Sequence, residues 1–120
     1  MDKNFYITTP IYYPSARPHM GHAYSSIIAD FFSRFKTIDG YKVYFLTGTD
    51  EHGLKIQRSA EKEGLDPLKF CDQISKTFRD LSKTLNLSNT DFIRTTEERH
   101  KKTVQHLWKE LEKNDDIYLS

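Results

Sequence analysis

The sequence has 120 residues, of which 37% are hydrophobic and 29% are charged, a balance typical of one folded domain and not of a disordered tail. Its 18 Lys and Arg nearly balance its 17 Asp and Glu, so the net charge of +1 lacks the basic excess of a free-standing nucleic-acid binder. The single cysteine, Cys71, excludes an internal disulfide and a cysteine-based zinc cage. With no apolar stretch long enough for a membrane span and no signal-peptide core, we expect a cytoplasmic protein.

The first half of the chain predicts a strand, a helix and a second strand. Residues 4–9 are aromatic and β-branched and favour a strand. Three prolines between residues 10 and 18 exclude regular helix there, but a helical period begins at Gly21 and ends at Asp39-Gly40. The apolar residues of this period, expected to face the core, are Ile27, Ile28, Phe31, Phe32, Phe35 and Ile38. Residues 42–47 form a near-continuous apolar run, which favours a strand covered on both faces.

The second half predicts a turn, three helices and a third strand. We assign residues 48–53 to the turn, 54–63 to a short helix and 91–95 to the strand. Between them, Asp66-Pro67 starts a helix whose apolar face carries Phe70, Ile74, Phe78, Leu81 and Leu85. The last helix, 97–113, is expected to turn Val104, Leu107, Trp108 and Leu111 inward.

This alternation of strands and helices predicts an α/β fold with a parallel sheet and right-handed crossovers. Ligands of such sheets bind beyond the carboxyl ends of the strands, where residues 10–22 and 48–53 lie. If the first two strands are neighbours, these two segments face each other across one crevice. Residues 117–119 look like the opening of another strand, so we expect the sequence to be a truncated piece.

The first segment ends in two histidines, His19 and His22, three residues apart at a predicted helix N-terminus. Free backbone N–H groups and the helix dipole favour an anion there, and two imidazoles add donors that suit a phosphate. Gly21 lets a flat ring such as adenine approach the backbone. Two alternatives remain open: the histidines only cap the helix, or His-x-x-His binds a metal.

The second segment places acids directly after a buried strand. Asp50 is suited to hold an ammonium group, although Asp and Gly also occur in such turns for conformational reasons alone. Ile11 and Tyr13 flank the crevice and can line a pocket for an apolar side chain, with the Tyr13 hydroxyl as a polar handle. The alternative is that these residues belong to the core.

Three segments together resemble the methionyl-tRNA synthetase family of class I aminoacyl-tRNA synthetases. They are 8–22, which ends in a His-Ile-Gly-His-like signature, 45–53, and 91–100. The residues of the signature region are Tyr13, Pro14, Ser15, Ala16, Arg17, Pro18, His19, Met20, Gly21 and His22. Met20 replaces the isoleucine or leucine usual in the signature, which is a tolerable apolar exchange.

The resemblance implies a Rossmann-like catalytic domain that activates methionine with ATP and Mg²⁺ to methionyl-adenylate and then transfers it to tRNA(Met). It implies that His19 and His22 stabilise the ATP phosphates and that Gly21 contacts adenine. It further implies that Asp50 binds the methionine ammonium, and that Ile11 and Tyr13 contact the methionine side chain. His52 lies nearby without an assigned step.

The family's second signature, Lys-Met-Ser-Lys-Ser, and its cysteine-rich knuckle are absent. We therefore expect residues 1–114 to be the N-terminal half of the catalytic domain and 115–120 the start of an inserted segment. Zinc is possible in that missing segment, but no metal is expected in this chain, which we also expect to bind tRNA poorly because of its near-neutral charge. The alternatives are a small nucleotidyltransferase with the same histidine signature, or a binding module without activity.

Overall fold

The computed structural model describes residues 3–119, which form a three-stranded parallel sheet and four helices. The strands are β1 (Asn4–Thr8), β2 (Lys42–Thr49) and β3 (Asp91–Arg94), and the helices are α1 (Met20–Ile38), α2 (Leu54–Lys62), α3 (Pro67–Thr84) and α4 (Glu98–Lys113). The strand order in the sheet is β1-β2-β3, and helices connect each strand to the next. The predicted α/β, Rossmann-like class is confirmed.

β1 and β2 are neighbours, as the prediction of a shared crevice requires. The chain stays beside β2 after β1 has ended, because Tyr12 forms a further parallel bridge with Thr49. The Tyr12 N–H also donates a hydrogen bond to the carbonyl oxygen of Gly48 at 2.8 Å. The segments that follow β1 and β2 therefore lie side by side at one edge of the sheet.

Local signals place the start of α3 where it was predicted. The Asp66 carboxylate accepts hydrogen bonds from the N–H groups of Leu68 at 3.0 Å and Lys69 at 3.3 Å, and Pro67 occupies the first helical position. Residues of α3 then enter two apolar clusters that form the core. The first contains Ile56, Ala60, Phe70 and Cys71, and the second contains Tyr12, Phe78 and Phe92. The predicted apolar face of α3 is thus confirmed at its two phenylalanines.

β2 is longer than predicted. Gly48 and Thr49, which are predicted to lie in a turn, pair with Ile93 and Arg94 of β3. Gly48 lies so close to β3 that an added Cβ would collide with the carbonyl oxygen of Ile93. The turn therefore begins only at Asp50, and β2 carries the chain two residues further toward the carboxyl edge of the sheet than predicted.

The predicted inner face of α1 is wrong. Its large apolar side chains are all exposed, Phe31 to 64%, and the buried residues are the small ones: Ser26, Ala29 and Ser33. The Ser26 and Tyr12 hydroxyls lie 2.8 Å apart, and those of Ser33 and Ser88 lie 3.0 Å apart. Small side chains let the helix approach the sheet closely, and these hydrogen bonds satisfy their polar atoms.

Three further predictions of burial or pairing fail. α4 forms, but none of its residues is buried, and Trp108 is 57% exposed. β2 is not covered on both faces, because Tyr44 and its register partner Tyr6 are both exposed. Residues 117–119 form no strand. An apolar pattern shows which surface of an element can be buried, but Trp108, Tyr44 and Tyr6 each keep about half or more of their surface exposed.

Candidate active site

The two histidines of the predicted anion site cap α1. His19 is the N-cap residue, and its Nδ1 accepts a hydrogen bond from the Gly21 N–H at 3.1 Å. The His19 N–H donates to Nδ1 of His22 at 3.0 Å, which completes a reciprocal capping box. Since each Nδ1 is an acceptor, each neutral ring carries its proton on Nε2. Capping therefore occupies one nitrogen of each ring and leaves the other as a donor.

The ring of His22 is held by neighbouring rings. Its centroid lies 3.9 Å from that of His19, 4.8 Å from that of Tyr12 and 5.1 Å from that of Phe78. Partial burial, and then the proximity of His19, lower the pKa of His22 below its ordinary value. The neutral form of His22 is thus favoured, and the neighbouring rings and the capping hydrogen bond fix its orientation.

A cleft of about 300 Å³ opens beside the capped helix, and part of the predicted signature region lines it. Its walls include Tyr13, Ser15, Ala16, Arg17, His19, His22 and Lys55. Arg17 and Lys55 bring two positive charges to the same cleft as the helix N-terminus, so the electrostatics favour an anion. Lys55 was not predicted, although its place in the first turn of α2, the helix that follows β2, could have indicated it.

The two predicted ligand segments contact each other directly. The Tyr13 hydroxyl donates a hydrogen bond to the carbonyl oxygen of His52 at 2.6 Å, and the Asp50 N–H donates to the carbonyl oxygen of Tyr12 at 2.9 Å. The prediction that they face each other is confirmed. The Tyr13 hydroxyl, however, binds His52 and is not free as a polar handle. Ile11 is exposed and Asp50 half-buried; neither lines the cleft.

Gly21 has a structural role in the helix cap, because it leaves space for the His19 ring. A Cβ at this position would come within 2.9 Å of Cε1 of His19. The glycine therefore makes room for the capping imidazole, which is a structural use beside the predicted contact with adenine.

A buried ion pair lies beside the Asp50 turn. The Glu51 side chain is fully buried, and its Oε1 accepts hydrogen bonds from Nε of Arg94 at 2.7 Å and from the Thr49 hydroxyl at 2.8 Å. Its Oε2 accepts one from the Thr96 hydroxyl at 2.5 Å. The hydrogen bond to Glu51 raises the pKa of Arg94 above its ordinary value. These residues have no predicted role, because their spacing in the sequence does not show that strands β2 and β3 are adjacent.

Other chemical features of the described residues are few. Across residues 3–119, no three His, Cys, Asp or Glu side chains are grouped so that they could hold a metal ion. None of the described helices is both long and apolar enough to cross a membrane. Cys71 is buried, and desolvation raises the pKa of its thiol to about 11.

The family model described as "tRNA synthetases class I (M)" matches residues 5–120. The chain belongs to this family. It is 55% identical over 117 residues to the mitochondrial methionine–tRNA ligase of Takifugu rubripes, an alignment that covers 98% of this chain and 20% of the relative. It is 52% identical over 118 residues to the methionine–tRNA ligase of Rickettsia bellii (strain RML369-C), with 98% of this chain and 23% of that relative covered.

The fold is similar to that of a solved family member. Mycobacterium tuberculosis methionyl-tRNA synthetase, solved in complex with methionyl-adenylate, matches with a TM-score of 0.95 and 44% identity over 98% of this chain and 23% of that chain. The class I catalytic-domain fold that the resemblance implied is therefore confirmed. The chain spans about a fifth of the length of these relatives.

Proposed function

We propose that this chain supplies part of the active site of a methionine–tRNA ligase. The observation that carries the proposal is the similarity, at a TM-score of 0.95 and 44% identity, to a synthetase solved with methionyl-adenylate. The reaction is attack of a methionine carboxylate oxygen on the α-phosphorus of ATP, with departure of pyrophosphate to leave methionyl-adenylate. Transfer of the methionyl group to tRNA(Met) follows.

In this proposal the capped histidines stabilise the transition state. The Nε2–H groups of His19 and His22 are the unused donors of the two rings, and the rings adjoin a cleft that also contains Arg17 and Lys55. Negative charge builds on the phosphates during the reaction, so these donors strengthen their hydrogen bonds in the transition state. Because the cap fixes both rings beforehand, little reorganisation is needed.

The other residues at this edge of the sheet contact methionine and adenine in this proposal. Asp50 holds the methionine ammonium, since a carboxylate at the end of a parallel strand meets ligands bound at that edge. Ile11 and the ring of Tyr13 contact the methionine side chain, and Gly21 leaves room for adenine. Supporting this, the residues that follow β1 and β2 are joined by the hydrogen bond from Tyr13 to His52.

Several further features belong to the proposal. ATP binds together with Mg²⁺. Zinc is assigned to no residue of this chain, whose only cysteine, Cys71, is buried.

Residues 1–114 form the first half of the catalytic domain and 115–120 open an inserted segment, which is consistent with coverage of about a fifth of the relatives. We place the enzyme in the cytoplasm. The alternative of a small nucleotidyltransferase is not favoured, because the synthetase family matches residues 5–120.

The test is methionine-dependent ATP–pyrophosphate exchange by the full-length gene product. We expect exchange with methionine and with no other proteinogenic amino acid. Exchange driven by a different amino acid, or by none, would contradict the proposal. The 120-residue chain by itself should show negligible exchange, because active-site groups that act as a unit lose most of their effect when some are missing.

A further inference from the structure

The Glu51–Arg94 ion pair is largely buried. The Glu51 side chain has no exposed surface, whereas that of Arg94 retains 18%. The second guanidinium nitrogen of Arg94, Nη2, lies 2.7 Å from Oδ1 of Asp72 on α3. One arginine thus joins β3 to the end of β2 and to α3. A buried carboxylate is costly unless it is paired and hydrogen-bonded, and the Glu51 carboxylate meets both conditions through Arg94, Thr49 and Thr96.

Separate hydrogen bonds hold the backbone on both sides of Asp50. The Glu51 N–H donates a hydrogen bond to Oγ1 of Thr95 at 2.8 Å, and the same oxygen lies 3.0 Å from Nδ1 of His52. On the other side, the Asp50 N–H donates to the carbonyl oxygen of Tyr12 at 2.9 Å. The turn is therefore held to the chain beyond β1 through Asp50, and to the end of β3 through Glu51 and His52.

We infer that the buried Glu51–Arg94 pair, completed by Thr96, is the positioning element that sets the place of Asp50 for the amino group of the substrate. The inference rests on the proposed function, in which Asp50 binds that ammonium. Glu51 does not touch the substrate; it acts through the backbone that it shares with its neighbour. Loss of the pair lets the turn move, and small displacements of a binding group weaken binding strongly.

The experiment measures the KM values for methionine and for ATP, together with kcat, in ATP–pyrophosphate exchange by the full-length gene product. The variants are Glu51→Gln, which keeps the shape but removes the charge, and Thr96→Val, which removes one hydroxyl and leaves every charge in place. Assays are run well below the melting temperature of each variant, measured by circular dichroism. We expect the KM for methionine to rise about tenfold in Glu51→Gln, with little change in the KM for ATP.

Two comparisons separate positioning from a merely structural role. Thr96→Ser retains the hydroxyl and should restore the KM for methionine that Thr96→Val raises. Asp91→Asn breaks a second ion pair of β3, in which the Arg99 guanidinium reaches the Asp91 carboxylate at 2.5 Å, but at the opposite end of the strand. This control should lower the melting temperature without changing the KM for methionine.

The outcomes distinguish the inference from the function on which it rests. If the unaltered protein exchanges with methionine but Glu51→Gln and Thr96→Val keep its KM, or raise both KM values equally, the inference is wrong and the function stands. If the unaltered protein shows no methionine-dependent exchange, both are wrong. A selective rise in the KM for methionine, rescued by Thr96→Ser, supports the inference.

Discussion

The backbone N–H of His19 donates a hydrogen bond to Nδ1 of His22 at 3.0 Å. This contact caps the start of α1 and at the same time orients the imidazole ring of His22. A helix N-terminus needs acceptors for its free N–H groups. Here the Nδ1 atoms of His19 and His22 are two of these acceptors. These hydrogen bonds therefore fix the orientation and tautomer of both rings without a ligand.

Replacement of His22 by alanine tests this dual role. We expect His22→Ala in the full-length gene product to slow amino-acid activation ~10²–10³-fold with little change in methionine binding, as for loss of a transition-state donor. Loss of the capping acceptor should also cost about 1 kcal/mol in the free energy of unfolding. Single-turnover formation of adenylate and urea unfolding measure the two effects.

The matched control for that experiment is His106→Ala, which removes an exposed histidine from α4. It should change neither the rate nor the stability. If His22→Ala weakened methionine binding as much as it slowed activation, His22 would serve the fold and not the reaction.

The stability of the protein should depend on pH through His22. Its pKa in the folded state is lowered from the ordinary value of 6.5 by desolvation and then by His19, so the unfolded chain binds the proton first. As the pH falls below 6.5, protonation of His22 therefore favours unfolding, and this loss is absent above that pH. Thermal melting between about pH 8 and about pH 5 measures it.

His22→Asn isolates this contribution, because an amide oxygen can keep the capping bond without titrating. We expect the melting temperature of the unaltered protein to fall more steeply on acidification than that of His22→Asn. Parallel curves for the two proteins would show that His22 does not titrate differently on folding.

Gly53 should resist substitution more strongly than Gly64. Gly53 has φ of +106°, and an added Cβ would lie 2.6 Å from the Tyr13 hydroxyl. Gly64 has φ of +65°, but nothing lies within 4 Å of such a Cβ. We expect Gly64→Ala to cost about 1 kcal/mol from its backbone alone, and Gly53→Ala to cost clearly more.

Urea unfolding of the two alanine variants makes this comparison. Tyr13→Phe added to Gly53→Ala removes the obstructing hydroxyl and should recover part of the loss. Equal destabilisation by both single substitutions would mean that the turn adjusts without resistance from Tyr13.

Cys71 should be unreactive in the native protein. Burial raises the pKa of its thiol to about 11, so only about a thousandth of it is ionised at pH 8, and the side chain is covered. We expect iodoacetamide to label it slowly in buffer and rapidly in denaturant, as followed by mass spectrometry. Fast labelling of the native protein would show that the cluster around Cys71 opens readily.

Local signals made the elements themselves predictable. Asp66 and Pro67 carry their own chemical reasons for starting a helix, and the prolines before Gly21 exclude a helix wherever they occur. Histidine spacing at a helix start also pointed to a part of the chain where the structure has a cleft, which His19 and His22 line. These inferences needed no knowledge of distant residues.

Burial and networks could not be predicted in the same way. Phe31 and Trp108 follow the apolar periodicity of a helix, yet both are exposed. Burial depends on which other element packs against the helix, and periodicity does not show that. The pairing of Glu51 with Arg94 depends on the register of β2 and β3, which brings together residues 43 positions apart. The hydrogen bond from the Tyr13 hydroxyl to His52 was missed because it joins residues 39 positions apart, which the pairing of Tyr12 with Thr49 brings together.

The pairing of β2 with β3 depends on the absence of a side chain at Gly48. Since any side chain at residue 48 would strike the carbonyl oxygen of Ile93, even a methyl group there must wedge the two strands apart. The next residues outward are Thr49 and Arg94, so the gap would open where the guanidinium spans from one strand to the other. Under the proposed function, a substitution that adds only a methyl group and touches no substrate would then weaken methionine binding, because it separates Arg94 from Glu51.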